Sequence, residues 1–383
     1  MTGGVPEKPL LRLGCGCYLR TIVRLASLGL SLVCALVACE AESPTAGRAP
    51  TRAQALSPSE PAPPRLALLS TRPGSSETSL HFALPGAPGA APAAVRFAHA
   101  PDGEVRGALV PGTERVVVVA DMERRRDPSF GAWLLTVEPG REPKVLAKGC
   151  YHASRPLLLP TGRVLVQRGA PGPELPSAQR VDSLSVDELD PETGALRQIH
   201  TFQGYITHLA GLFDGEVLLY RVAPEAADLV AVDVESGAVR VLLSPIPALA
   251  RDFSVDRSAR SLVYTNHDGS GWLVERLSLD SGARQELARA GGMWITPSVW
   301  PSGGVLVNDG RGAVVLGGAG PSRALGPGFD EVRSVSPDGL HVALLHRVPS
   351  SFAEAFVSSA DGGRVTRVAA PAGARLEIAG FLP

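Results

Sequence analysis

Cysteine, methionine and aromatic residues are all scarce here: five Cys, three Met and 5% Phe, Trp and Tyr in 383 residues. Three of the cysteines, Cys15, Cys17 and Cys34, fall in the first 38 residues, so beyond them only Cys39 and Cys150 remain. Two cysteines give no internal disulfide framework, and stability must come from packing. Net charge is scarce as well, −1 at neutral pH, which removes the electrostatic case for binding nucleic acid. Catalytic motifs are missing: no Gly-x-Ser-x-Gly, no His-Glu-x-x-His, no phosphate-binding loop, and no Cys-x-x-Cys after Cys39. The longest uncharged apolar stretch, 25–38, would rise about 21 Å as a helix, short of the ~30 Å hydrocarbon core. Chain breakers, by contrast, are plentiful. The 42 Gly and 34 Pro exclude long helices and coiled coils and favour short strands joined by turns. A hydrophobic share of 44% is too high for a largely disordered chain.

The N-terminal segment reads as an address. Lys8, Arg12, Arg20 and Arg24 precede the apolar stretch, which closes on Leu36-Val37-Ala38-Cys39. That order of basic, apolar and small residues is a cleavable export signal. Its end resembles the lipobox of bacterial lipoproteins, which implies a signal peptide over 1–38 and lipidation (diacylglyceryl, palmitate) of Cys39. Cleavage would leave 33 basic and 37 acidic residues, a mildly acidic protein. Residues 39–64, rich in Pro, Ala and Ser, have nothing with which to build a core and read as a disordered tether. Glu40 in place of an Asp gives no reason for inner-membrane retention, so the expectation is an outer-membrane anchor facing periplasm or cell surface.

From residue 65 the chain repeats. Apolar runs at RLALLS (Arg65), RVVVVA (Arg115), RVLVQR (Arg163), EVLLYR (Glu216), SLVYTN (Ser261), GVLVND (Gly304) and HVALLH (His341) share one character. Most follow a tight turn such as Pro160-Thr161-Gly162, Asp214-Gly215, Pro301-Ser302-Gly303 or Ser336-Pro337-Asp338-Gly339. A second turn comes later, at Gly140, Gly194, Gly237, Gly282 and Gly362, with a short strand after it. The unit is strand, turn, strand, loop, strand, turn, strand. Gly112 to Gly339 covers five intervals of about 45 residues, the length of a four-stranded propeller blade. The unit at Asp256 lacks its turn glycine, and the one at Gly303 is short. RLEIAGFLP, from Arg375 to the C-terminus, has the character of a first strand, whereas the stretch after residue 65 begins at a second strand. These features predict an all-β, seven-bladed β-propeller over 65–383, with six or eight blades as alternatives. One C-terminal and three N-terminal strands would complete the last blade. The Ser336-Pro337-Asp338-Gly339 turn ahead of an apolar strand resembles the TolB-like, WD-like propeller repeats of exported bacterial proteins, which implies fold and not activity.

In such a ring the longer connections share one face, and binding residues concentrate there. These connections are expected at 121–130, 168–180, 200–207 and 244–251. Candidate ligand-binding residues where successive units begin are Tyr151, His152, Tyr205, His208, Asp252, Trp294, Asp330 and Arg333. His152 and His208 occupy comparable places in consecutive units, but no third ligand accompanies them, so no metal and no cofactor is expected. The segment 266–271 resembles half a calcium loop and reads better as a hairpin; the acids over 182–190 read as an exposed strand face. A full ring, a lipid anchor and no catalytic motif together predict a monomeric binding or scaffold protein of the bacterial envelope. Its partners would be the membrane through Cys39 and an envelope protein or glycan on the long-connection face. A propeller enzyme of lyase, hydrolase or cyclotransferase type, or a carbohydrate binder using Tyr151, Tyr205 and Trp294, are the alternatives. A peptidase with a fused α/β-hydrolase domain is not expected, because the repeat runs to the last residue.

Overall fold

The computed structural model describes residues 64–122, 131–151, 154–171, 181–203, 206–222, 227–246, 250–290, 295–308, 313–317, 323–326, 331–347 and 353–382. The signal and tether expectations, Cys39 included, lie outside these residues except for residue 64. Every regular element among them is a strand, and all pairings are antiparallel.

The strands fall into consecutive groups. β1 (Leu66–Thr71), β2 (Glu77–Ala83) and β3 (Ala93–Ala98) form a sheet with β28 (Arg375–Phe381) on the free side of β1. Next come β4 (Val105–Leu109), β5 (Val116–Asp121), β6 (Ala132–Val137) and β7 (Lys144–Cys150). They are joined by one bridge, Cys150 to Arg168, to β8 (Leu157–Leu158), β9 (Val164–Pro171), β10 (Val181–Leu189) and β11 (Leu196–Gln203). A four-stranded sheet follows from β12 (Ile206–Phe213), β13 (Glu216–Val222), β14 (Ala227–Asp233) and β15 (Val239–Ile246). Then come β16 (Arg251–Asp256), β17 (Ser261–His267), β18 (Trp272–Ser278) and β19 (Arg284–Ala290). The short unit is β20 (Pro297–Val299), β21 (Val305–Asn308), β22 (Ala313–Leu316) and β23 (Arg323–Gly326). The last is β24 (Glu331–Val335), β25 (His341–Arg347), β26 (Ala353–Ser359) and β27 (Val365–Val368).

The apolar runs seen in the sequence are the second strands, and burial on both faces explains their lack of alternation. On β5, Val116 and Val118 pack toward β1 and β2, while Val117 and Val119 pack toward β9. The same two-way division recurs around the molecule and returns to its start. Ala343 and Leu345 of β25 share a core with Leu66 and Leu68 of β1 and Ile378 of β28. First strands neighbour first strands: β12 lies beside β16, β16 beside β20, β20 beside β24, β24 beside β28, and β28 beside β4. The sheets therefore form a ring closed by the β1–β28 ladder, with Leu66 opposite Phe381, Leu68 opposite Ile378 and Thr71 opposite Arg375. Pairing both chain segments in one sheet covers the exposed edge that β1 would otherwise present.

Turn chemistry follows from the side chains. In Ser336-Pro337-Asp338-Gly339, the Gly339 N–H donates to Ser336 O at 2.8 Å, and Gly339 takes φ 72°. The Ser336 hydroxyl accepts the His341 N–H at 2.8 Å, and Asp338 Oδ1 accepts the Leu340 N–H at 2.9 Å. Where the unit at Asp256 lacks glycine, Arg260 takes the left-handed conformation (φ 47°). Its guanidinium pairs with Asp280 at 2.9 Å and Asp214 at 2.7 Å.

Two expected long connections and the exposed-face reading of β10 are corrected, whereas the hairpin expected over 266–271 is found. The connection expected over 200–207 is mostly strand, because β11 runs to Gln203 and β12 begins at Ile206; likewise 168–171 belongs to β9. The acids of β10 are not an exposed face: Asp187 and Glu188 are buried, paired with Arg168 at 2.5 Å and Arg197 at 2.6 Å. The 266–271 segment is a hairpin whose Asp268 carboxylate accepts N–H bonds from Ser270 (2.9 Å) and Gly271 (3.1 Å) and pairs with Arg289 (2.5 Å).

Candidate functional site

Three adjacent first strands carry charged residues two positions apart, a spacing that sets both on one face of a strand. They are Glu104 and Arg106 at β4, Glu331 and Arg333 at β24, and Arg375 and Glu377 on β28 between them. The order acid–base is reversed on β28, so its Glu377 faces bases on both sides. Arg333 Nη2 lies 3.9 Å from Glu377, and Arg155, just ahead of β8, also pairs with Glu377. Within their own strands Glu331 pairs with Arg333, and Arg106 Nη2 reaches Glu104 at 2.9 Å. Glu377 and Arg333 are almost fully buried, their side chains 7% and 8% exposed. Burial alone would raise the Glu377 carboxyl. The attraction of Arg155, then Arg333 and Arg106, with a bond from the Gly107 backbone, outweighs burial and holds it below the usual carboxylate range. Beside this knot lies a cavity of about 450 Å³, lined by Thr71, Glu104, Arg106, Arg375 and Glu377 among others.

A second group adjoins it. Tyr151 and His208, both singled out from sequence, meet with ring centroids 5.4 Å apart. A buried amide sets this contact. Gln167 on β9 accepts the Tyr151 N–H on its backbone carbonyl (3.0 Å) and the Ser154 hydroxyl on its side-chain oxygen (2.5 Å). Its Nε2 donates to the backbone oxygen of Thr207 (2.9 Å), next to His208. From His208 the rings continue through Tyr220 (6.1 Å), Phe253 (5.4 Å from Tyr220) and Tyr264 (5.7 Å from Phe253). Burial lowers the His208 pKa, so the ring is neutral at neutral pH; burial, reinforced by the Glu104 charge, raises that of the Tyr151 phenol. The last influence ties the aromatic run to the charged knot.

Arg333 thus belongs to the knot, and Tyr151 and His208 to the aromatic run. Asp252 lies on the bulge of β16 with φ 54°. His152, Tyr205, Trp294 and Asp330 lie outside the described residues. Glu104, Arg106, Arg155, Glu331 and Glu377 were missed, although a signal existed. Glu-Val-Arg occurs at 104–106 and again at 331–333, each time opening a first strand. Cys150 is buried, and burial pushes its thiol up to about 12, so it is no nucleophile.

No family model matches the sequence, and neither does any curated protein. Among solved structures, the chain is similar to a functionally unknown protein from Desulfotomaculum acetoxidans DSM 771, with TM-score 0.52 and 14% identity over 82% of this chain and 99% of that one. It is also similar to a Mycobacterium tuberculosis puromycin-hydrolyzing peptidase, with TM-score 0.50 and 16% identity over 70% of this chain. This match spans 46% of the peptidase. TolB from Acinetobacter baumannii aligns with TM-score 0.47 and 13% identity over 83% of this chain and 67% of TolB. The ring of four-stranded sheets is a β-propeller, and at these identities the likeness extends to fold alone.

Proposed function

We propose that this chain is an exported, lipid-anchored, seven-bladed propeller that binds a polar partner in the bacterial envelope. The blade count rests on reading the lone Cys150–Arg168 bridge as a contact between two blades, which leaves the 28 described strands in seven fours. The anchor rests on the lipobox ending at Cys39. The observation that carries the binding function is the charged knot on β4, β24 and β28 with the cavity beside it. Four arginines, Arg106, Arg155, Arg333 and Arg375, and three glutamates, Glu104, Glu331 and Glu377, gather at this knot and its cavity. Because charges of both signs are interleaved there, a partner offering both donors and acceptors, such as a polar peptide segment, suits the site better than a polyanion.

Site-specific photo-cross-linking tests this in cells of the native species. A photoreactive residue in place of Arg375, whose side chain is 41% exposed on the cavity wall, should yield one defined adduct with an envelope protein. The same group in place of exposed Leu340 should not. Absence of any adduct at position 375, or equal adducts at both positions, would refute the binding reading. Cys39→Ser should release the protein from membranes; continued membrane retention would refute the anchor.

A further inference from the structure

A second site lies in the sheet that closes the ring, which also carries Glu377. Ser70 on β1 and His81 on β2 are both buried, and Ser70 Oγ lies 2.8 Å from His81 Nε2. The other ring nitrogen, Nδ1, is 2.8 Å from the backbone oxygen of Ala91. A carbonyl oxygen only accepts, so Nδ1 carries the proton; in the neutral ring Nε2 must then accept from the serine hydroxyl. This arrangement is nucleophile, base and orienting acceptor in line. Both residues line a cavity of about 300 Å³ together with Arg72, Ser75, Glu77, Ser79 and Arg96. The cavity's formal charges, two arginines against one glutamate, favour an anionic guest.

We propose that Ser70 and His81 form an acyl-transfer site for small esters that carry a negative charge. Ser70 Oγ attacks the ester carbonyl carbon while its proton passes to His81 Nε2. The carbon–oxygen bond to the alcohol breaks as Nε2 returns that proton to the leaving oxygen. Water then attacks the Ser70 acyl ester, with its proton taken by Nε2 and passed to Ser70 Oγ, so ester and water become acid and alcohol. Arg72, exposed at the cavity wall, holds the substrate's negative group.

The purified full-length protein, treated with a fluorophosphonate and digested, should carry the phosphonyl group on Ser70 by peptide mass mapping. Ser70→Ala should abolish the label, and His81→Gln should slow it about a hundredfold or more. Hydrolysis of p-nitrophenyl hemisuccinate should exceed that of p-nitrophenyl acetate, and Arg72→Ala should erase that preference. No label on the folded wild-type protein, a label on another residue, or an unchanged label in Ser70→Ala would overturn the proposal. The readout on wild type does not depend on either variant folding.

Discussion

At the scale of single residues, the ring is decided by where side chains are forbidden. Gly237 has φ 73°, and a Cβ there would sit 2.5 Å from the backbone oxygen of Ile199 on β11, in the neighbouring sheet. Gly282 has a similar φ of 70°, and a Cβ there would meet nothing within 4 Å. Gly282→Ala should therefore cost about 1 kcal/mol, the backbone penalty alone. Gly237→Ala should cost about 2–3 kcal/mol, because backbone must also move. Urea unfolding of the two variants checks this, and equal losses would contradict the close approach of β11. His208 gives a pH-dependent expectation. Burial puts its pKa in the folded protein below the ordinary 6.5 that it regains on unfolding. Below that pH the unfolded chain takes up the proton first, so His208 lowers stability as pH falls and has no such effect above it. Between about pH 7 and pH 5 the wild type should lose more stability than His208→Gln, measured by urea midpoints.

At the scale of elements, legibility followed locality. The Ser336-Pro337-Asp338-Gly339 turn was readable because its bonds, from Ser336 to His341 and from Asp338 to Leu340, span five residues at most. The second strands were readable because both of their faces are buried. Arg260 was not readable as a turn residue, since its left-handed backbone is held in a setting of Asp280 and of Asp214, 46 residues away. The charged knot was hidden for the same reason. Arg155 and Glu377 are 222 residues apart, and a charge on a short strand looks solvated until the ring sets three first strands side by side. The register also joins two β-bulges with related sequences, Leu209-Ala210-Gly211 on β12 and Ile378-Ala379-Gly380 on β28. In both, a Cβ on the glycine would press on the next first strand, at Val255 and Leu109 respectively. For the knot, Glu377→Gln removes the anion that three arginines share. The variant should lose about 3–5 kcal/mol of stability, the cost of leaving buried cations unpaired. A change below about 0.5 kcal/mol, the size seen at surface positions, would mean that the knot is solvated.

At the scale of the whole molecule, everything depends on β28 pairing with β1. That ladder places Glu377 among Arg106, Arg155 and Arg333, and it also completes the sheet bearing Ser70 and His81. The most direct measurement is a cross-link across it. Thr71 and Arg375 are register partners at the end of the ladder, within the reach of a disulfide. The double variant T71C/R375C, oxidised in the folded full-length protein, should form one intramolecular disulfide joining those two peptides in mass mapping. Free thiols at both positions, or disulfides only between molecules, would show that the ring does not close this way.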